Sequence, residues 1–156
     1  LSGAAATLVG QNLGAKQVER AEKSVFVTAK YNVIFMAIIT VTTLTGAEYM
    51  VSLFTNDAVV LKIAVEALQI VSLGYVFYGI GMVLINVFNG AGDTWTPTKI
   101  NFFGFWLFQI PLAYFLAKYL KMGPTGVFMA IPIAEAGITI AGYVLYKKGK
   151  WKRIEV

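Results

Sequence analysis

Glu135 is the residue of this sequence whose type and position are best suited to chemistry. It lies at the middle of an apolar stretch, 124–146, where an ionised carboxylate costs several kcal/mol if the stretch crosses a bilayer. Such a group pairs with a cation, faces water or stays protonated, and each condition suits it to bind and release a proton or Na⁺. The alternative is a protonated Glu135 that hydrogen-bonds a neighbouring helix and only holds a bundle together. We predict that Glu135 serves in cation or proton coupling.

Polar and aromatic side chains on two other apolar stretches are candidates for the lining of a cavity. Gln109 is central in 100–117 and is, by depth, the best candidate partner for Glu135. On 63–89, two tyrosines and two asparagines fall within an arc of about 80° at 100° per residue. Aromatic faces can make cation–π contact with a flat organic cation, whereas the alternative for both sets is hydrogen bonding and packing between helices. The predicted substrate-cavity residues are Tyr75, Tyr78, Asn86 and Gln109.

Other acidic residues receive structural interpretations. Lys62 precedes Glu66 by four residues near the end of its span, and an interfacial ion pair would account for both. Asp93, between Gly92 and Thr94, is predicted to cap the helix that follows it, and the polar cluster Thr55-Asn56-Asp57 is predicted to cap the helix that starts at 58.

Four long apolar stretches must position these side chains. About 20 apolar residues cross a hydrocarbon core of about 30 Å, and this chain of 156 residues is 58% hydrophobic with a mean hydropathy of +0.69. One soluble core could not hide so much apolar surface, so the sequence predicts an all-α, polytopic membrane protein built as a helical bundle. The transmembrane unit covers 1–146, with helices at about 1–15, 25–47, 58–89, 97–117 and 124–146, and a basic tail covers 147–156.

The composition excludes several classes of function. The chain has no cysteine and no histidine, which removes disulfides, thiolate nucleophiles, Cys/His metal sites and histidine acid–base chemistry. A membrane enzyme would show clustered acids, His or Cys at one membrane face, so we predict no enzyme, no cofactor and no metal site. The net charge of +5 does not indicate nucleic acid, because the basic residues flank apolar spans.

Loop charges predict the orientation of the chain in a cell membrane. If the helices alternate in direction, one side carries ten of the 13 basic residues, which predicts a cytoplasmic C-terminus. These ten are Lys16, Arg20, Lys23, Lys30, Lys99, Lys147, Lys148, Lys150, Lys152 and Arg153. In the tail, Trp151 is predicted to lie at the membrane interface, and anionic lipid headgroups are candidate partners of the lysines around it.

Several strings resemble the multidrug and toxic compound extrusion (MATE) transporters, most closely the bacterial and archaeal branch. TLVGQNLGAKQVERAEK (7–23) is similar to the segment that closes the eighth helix of that family. LFTND (53–57), NGAGDTWTP (89–97) and QIPLAY (109–114) follow in the family's order and spacing, and GVFMAIPIAEA (126–136) with a basic tail resembles its twelfth helix. The resemblance covers essentially the whole chain.

The resemblance implies a twelve-helix protein with two lobes, of which this chain forms most of the C-terminal lobe. It implies a secondary active transporter that exports organic cations and other toxic compounds in exchange for Na⁺ or H⁺, and missing N-terminal helices as partners of this chain. Some family members place a cation-binding acid in the tenth helix, at a position that falls near Tyr78 here. That acid is therefore absent, and the prediction for Glu135 comes from its depth in the span alone.

Two alternatives remain beside the antiporter. A lipid-linked oligosaccharide flippase of a related family would need cationic residues in its cavity, and the deep parts of these spans contain no Lys or Arg. A non-transporting structural subunit would account for apolar helices but not for the ordered family strings. We expect that the chain by itself does not transport, because one partial lobe cannot enclose a two-lobed cavity.

Overall fold

A computed structural model describes residues 1–153, which form a bundle of helices joined by short connections. In chain order the elements are α1 (Gly3–Gly14), α2 (Val18–Ser52), α3 (Ala58–Ser72), α4 (Tyr75–Gly90), α5 (Trp95–Tyr119), α6 (Pro124–Lys147) and a 3₁₀ turn (Lys150–Arg153). Three of them, α2, α5 and α6, are long and apolar enough to cross a membrane, and α3 with α4 makes a fourth span if the bent pair counts as one. The prediction of an all-α polytopic membrane bundle is confirmed.

Helix α2 is longer than the sequence suggested. It has 35 residues, about 52 Å at 1.5 Å per residue, and it begins inside the charged segment that was assigned to a connection. The helix therefore carries Arg20 and Lys23 on its first turns and continues beyond the thickness of a hydrocarbon core.

The span predicted as one helix over 58–89 is two helices. Asp57 caps α3 as expected, because its Oδ1 accepts from the amides of Val59 at 2.8 Å and Val60 at 3.1 Å. The pair α3 and α4 then bends by 49° between Ser72 and Tyr75. Nothing in the hydropathy marks this break, since both sides are apolar.

Side chains of neighbouring helices donate to backbone carbonyls at this break and in the first turns of α4. Thr40 donates to the Ser72 carbonyl at 3.1 Å, Asn32 to the Gly79 carbonyl at 2.7 Å and Thr139 to the Phe77 carbonyl at 2.7 Å. A broken helix within an apolar layer is tolerated only when its freed polar groups find such partners. Helix α2 therefore supplies a donor to the Ser72 carbonyl at the break, while α2 and α6 both hydrogen-bond the first turns of α4.

Helix α5 begins after the Asp93 cap, as predicted. The Asp93 carboxylate accepts from the Thr96 amide at 2.9 Å and from its hydroxyl at 2.5 Å. Within α5, the stretches Phe102–Gln109 and Phe115–Tyr119 are π-helical, and Pro111, which has no amide hydrogen to donate, lies between them. Helix α6, in contrast, continues through Pro132.

Most of the buried side chains are small or medium-sized, with Phe88 and Trp151 as the large exceptions, whereas many large apolar side chains point outward. The core cluster joins α1, α2, α4 and the starts of α5 and the 3₁₀ turn through residues such as Ala5, Val9, Ala21 and Val87. A methyl group at Gly90 would overlap the backbone of Ala6, so α1 and α4 approach closely. Exposed phenylalanines and tyrosines along α2 and α5 suit contact with lipid rather than water.

The prediction of an interfacial Trp151 is wrong. Trp151 is 0% exposed and belongs to the core cluster. Its ring stacks on Tyr146 with centroids 5.2 Å apart, and its Nε1 donates to the Tyr146 carbonyl at 3.1 Å. Lys152 forms an ion pair with Glu22 at the start of α2. The first part of the tail therefore folds back under α2, and residues 154–156 of the tail lie outside the described part.

Candidate functional site

A cavity of about 270 Å³ lies between α4, α5 and α6. It contains three polar side chains, one from each helix: Tyr78 from α4, Asn101 from α5 and Glu135 from α6. The remaining lining residues are apolar or glycine, namely Gly81, Met82, Ile85, Phe105 and Ile138.

The helix break positions two of these side chains. Gly74, at the break, packs against Pro132, and a methyl group added there would lie 2.9 Å from the Pro132 Cα. Tyr78 is four residues beyond Gly74 and Glu135 three residues beyond Pro132, so each lies about one helical turn from this contact. The close approach of α4 and α6 thus brings Tyr78 and Glu135 to a common cavity.

Asn101 is a lining residue that sequence reasoning did not select. Its Oδ1 is buried, and no donor within residues 1–153 hydrogen-bonds to it. A buried acceptor without a donor loses the hydrogen bonds it would make in water. The signal in the sequence was an amide near the start of an otherwise apolar span, but Gln109, which lies deeper, was preferred.

The other predicted site residues lie apart from this cavity. Gln109 is not among its lining residues, and its buried Oε1 has no hydrogen-bond donor among the described residues. Asn86 donates to the carbonyl of Met82 on its own helix at 2.8 Å, and neither Asn86 nor Tyr75 lines the cavity. The cavity thus contains two of the five predicted residues, Tyr78 and Glu135.

The predicted ion pair of Lys62 with Glu66 is absent from the described residues. Glu66 instead accepts a hydrogen bond from the Thr125 hydroxyl at 2.6 Å, which joins α3 to the first turn of α6 across 59 positions of sequence. The carboxylate faces another helix because α3 packs on α6, and helical spacing within α3 gives no information about that contact.

The electrostatics of the cavity limit what it can hold. Glu135 is the one carboxylate among its lining residues, and no Lys or Arg lines it. A carboxylate in such surroundings takes a proton or a cation as its counter-charge. The hydroxyl of Tyr78 and the Oδ1 of Asn101 add two oxygen atoms with which a bound proton or a monovalent cation could interact.

Comparisons with known proteins agree with this architecture. A family model described as MatE matches residues 1–115. The probable multidrug resistance protein YoeA of Bacillus subtilis is 25% identical over 153 residues, covering 98% of this chain and 33% of that protein. The FAD transporter of Shewanella oneidensis is 27% identical over 148 residues, covering 95% of this chain and 32% of that protein.

Among solved structures, an inward-facing multidrug resistance MATE family transporter of the MOP superfamily superimposes with a TM-score of 0.89. The sequence identity is 21%, and the match covers 99% of this chain and 36% of that one. At this identity the likeness shows the fold alone.

The fold and the family match define an α-helical membrane protein of the MatE class. Because the family model matches well over half of the sequence, the chain belongs to the MatE family. The predicted resemblance is confirmed, and the relatives are transporters rather than enzymes, as expected. The chain spans about a third of the length of the relatives it matches.

Proposed function

We propose that this chain acts within a cation-coupled antiporter that exports organic cations, and that Glu135 holds the coupling proton or Na⁺. The observation that carries the proposal is the cavity between α4, α5 and α6, in which Glu135 is the one carboxylate and has no cationic side chain beside it. Membership of the MatE family and the multidrug name of the Bacillus relative support the export of drugs.

The chemistry of exchange follows from the cost of a charge in an apolar site. Glu135 is stable in the closed cavity when it is neutralised by a proton or a bound monovalent cation. Opening toward water lets the carboxylate release that ion, since the charged form is then solvated. Suppose that the substrate binds the conformation in which Glu135 has released its ion, and that the ion binds the other conformation. Substrate and ion then favour opposite conformations of the transporter, which is the linkage that antiport requires.

The proposed orientation has the C-terminus in the cytoplasm. Ten of the 13 basic residues lie on that side if the spans alternate. Organic cations would then be bound from the cytoplasm and released outside, while Na⁺ or H⁺ moves inward.

Transport by the full-length protein that carries this chain tests the proposal. Everted membrane vesicles are loaded with Na⁺ or with protons in separate experiments, and accumulation of a fluorescent organic cation is followed. Accumulation under one gradient supports antiport and identifies the ion. If neither gradient drives accumulation, the proposal is rejected.

Flavin nucleotide export is a second candidate, favoured by the relative named FAD transporter. The same vesicles are therefore assayed with FAD in place of the organic cation. If FAD accumulates under the gradient and the organic cation does not, FAD replaces the organic cation as the proposed substrate. The proposed role of Glu135 in coupling is then tested with FAD.

A further inference from the structure

A second, larger pocket of about 490 Å³ lies between the end of α1 and the start of α2. Two of its lining residues are cationic and none is acidic. The lining residues are Leu8, Gln11, Asn12, Arg20, Lys23, Ser24 and Val27. The cavity of Glu135 is lined by one carboxylate and no cationic residue, so the two sites cannot hold the same kind of ligand.

The polar groups of this pocket leave the two cations available. Asn12 Nδ2 donates to the Leu8 carbonyl at 2.7 Å and to the Ser24 hydroxyl at 3.5 Å, and Ser24 donates to the Arg20 carbonyl at 2.8 Å. These bonds join α1 to α2 without using a charged group. Arg20 gives one guanidinium hydrogen to Gln17 at 2.8 Å, which leaves further N–H donors on the guanidinium.

Within residues 1–153 neither cation has an ion-pair partner. Among the described residues, no carboxylate oxygen lies within 4.0 Å of a side-chain nitrogen of Arg20 or Lys23. Glu22, the acidic neighbour on α2, pairs with Lys152, and Glu19 lines a separate hollow beside Arg20. The lining of the pocket therefore contains two positive charges and no negative one.

An apolar stripe leads away from this charge along α2. Val27, Tyr31, Ile34 and Ile38 follow Lys23 at spacings of three or four residues, and all four are exposed. A ligand that fits both features has an anionic group for Arg20 and Lys23 and an apolar part for the stripe. A soluble anion has no apolar part that could contact the stripe.

We infer that this pocket binds the phosphate group of an anionic phospholipid, whose acyl chains lie along the stripe on α2. The predicted orientation puts the pocket on the cytoplasmic side, where anionic lipids attract basic residues next to membrane spans. Bound there, the phosphate bridges two cationic donors that lie about one turn apart near the start of α2. The inference is independent of the proposed transport activity.

The test uses the purified full-length protein that carries this chain, in phosphatidylcholine nanodiscs or detergent micelles. Phosphatidylglycerol is titrated in, and the bound lipid is counted by native mass spectrometry. In the variant Arg20→Gln/Lys23→Gln the apparent affinity is expected to fall about 25-fold, because two cations are lost at about a factor of five each. The control Lys118→Gln/Lys121→Gln removes the same charge from the opposite predicted side and is expected to retain the parent affinity.

Two results overturn the inference. Equal affinity of the Arg20/Lys23 variant and the parent shows that phosphatidylglycerol does not use this pocket. Displacement of the lipid by millimolar inorganic phosphate shows a site for a free anion rather than for a lipid. If the double variant does not fold, the single variant Lys23→Gln, whose side chain is exposed, replaces it with an expected loss of about fivefold.

Discussion

Glu66 and Glu135 are both half-buried acids on apolar helices, yet their surroundings differ. The Glu66 carboxylate accepts a hydrogen bond from Thr125 at 2.6 Å. Within residues 1–153 no side chain donates a hydrogen bond to Glu135, which lines a cavity instead. A partnered acid has its hydrogen-bonding need met by the protein and holds helices together. An acid without such a partner is stabilised by a bound proton, a cation or water instead. It is therefore suited to bind and release the coupling ion.

The sharpest test of this comparison neutralises each acid in turn. In the full-length protein we expect Glu135→Gln to lower gradient-driven accumulation at least about tenfold, the range of a typical coupling free energy. Glu66→Gln should stay within about twofold of the parent, because glutamine can still accept from Thr125. Accumulation in everted vesicles measures both. Normal coupling in Glu135→Gln would show that this acid is structural as well.

The contact that brings Glu135 to Tyr78 can be altered at Gly74. We expect Gly74→Ala to lower the free energy of unfolding by about 1–3 kcal/mol, because its methyl group would press on Pro132. Gly46→Ala is the matched control, since Gly46 lies in α2 with open space around it, and should gain about 0.5–1 kcal/mol. Thermal unfolding in detergent compares the two. A Gly74→Ala protein as stable as the Gly46→Ala protein would mean that α4 and α6 can separate freely.

The partner of Glu66 can be removed at Thr125. Thr125→Val keeps the shape of the side chain but leaves the carboxylate without its donor, and we expect a loss of about 1–2 kcal/mol of stability. Thr42→Val removes a hydroxyl that donates only to Ile38 of its own helix, so its stability should change little. Chemical denaturation of both variants measures the difference. Equal stabilities would remove the structural role assigned to Glu66.

The smallest expected effects separate the two unpartnered amides, Asn101 and Gln109. Either one changed to Leu should shift stability by less than about 1 kcal/mol, because each replaces a buried acceptor that has no donor. Only Asn101→Leu should also raise the ion concentration at half-maximal transport, by several-fold, since of the two amides only Asn101 lines the cavity of Glu135. The ion concentration at half-maximal transport is the measurement. The same shift in Gln109→Leu would mean that the effect is not local to the cavity.

Much of the architecture could be predicted from the sequence because it depends on local chemistry. Apolar length indicated the membrane spans, and the carboxylates of Asp57 and Asp93 marked two helix starts. The depth of Glu135 in its span was likewise a matter of counting residues. Each of these features is set by residues close together in the chain.

The partners of those residues could not be predicted in the same way. Gln109 is predicted by its depth alone, and depth does not say which face of the helix a residue lies on. The π-helical stretch at Phe102–Gln109 changes the angle per residue and so rotates that face. Trp151 has an aromatic ring and lysine neighbours that are typical of the membrane interface, yet its ring packs into the core cluster. Hydropathy records that a residue avoids water and does not distinguish lipid from protein.

The sequence by itself therefore determined that this protein is a helical membrane protein of the MatE family with an acid at mid-span. Only the tertiary structure decided that α3 and α4 bend by 49°, that Gly74 meets Pro132, and that Asn101 rather than Gln109 shares a cavity with Glu135. The physical reason is that a hydrogen bond or a cavity wall joins residues far apart in sequence. Such contacts depend on how the helices pack, which local periodicity leaves undetermined.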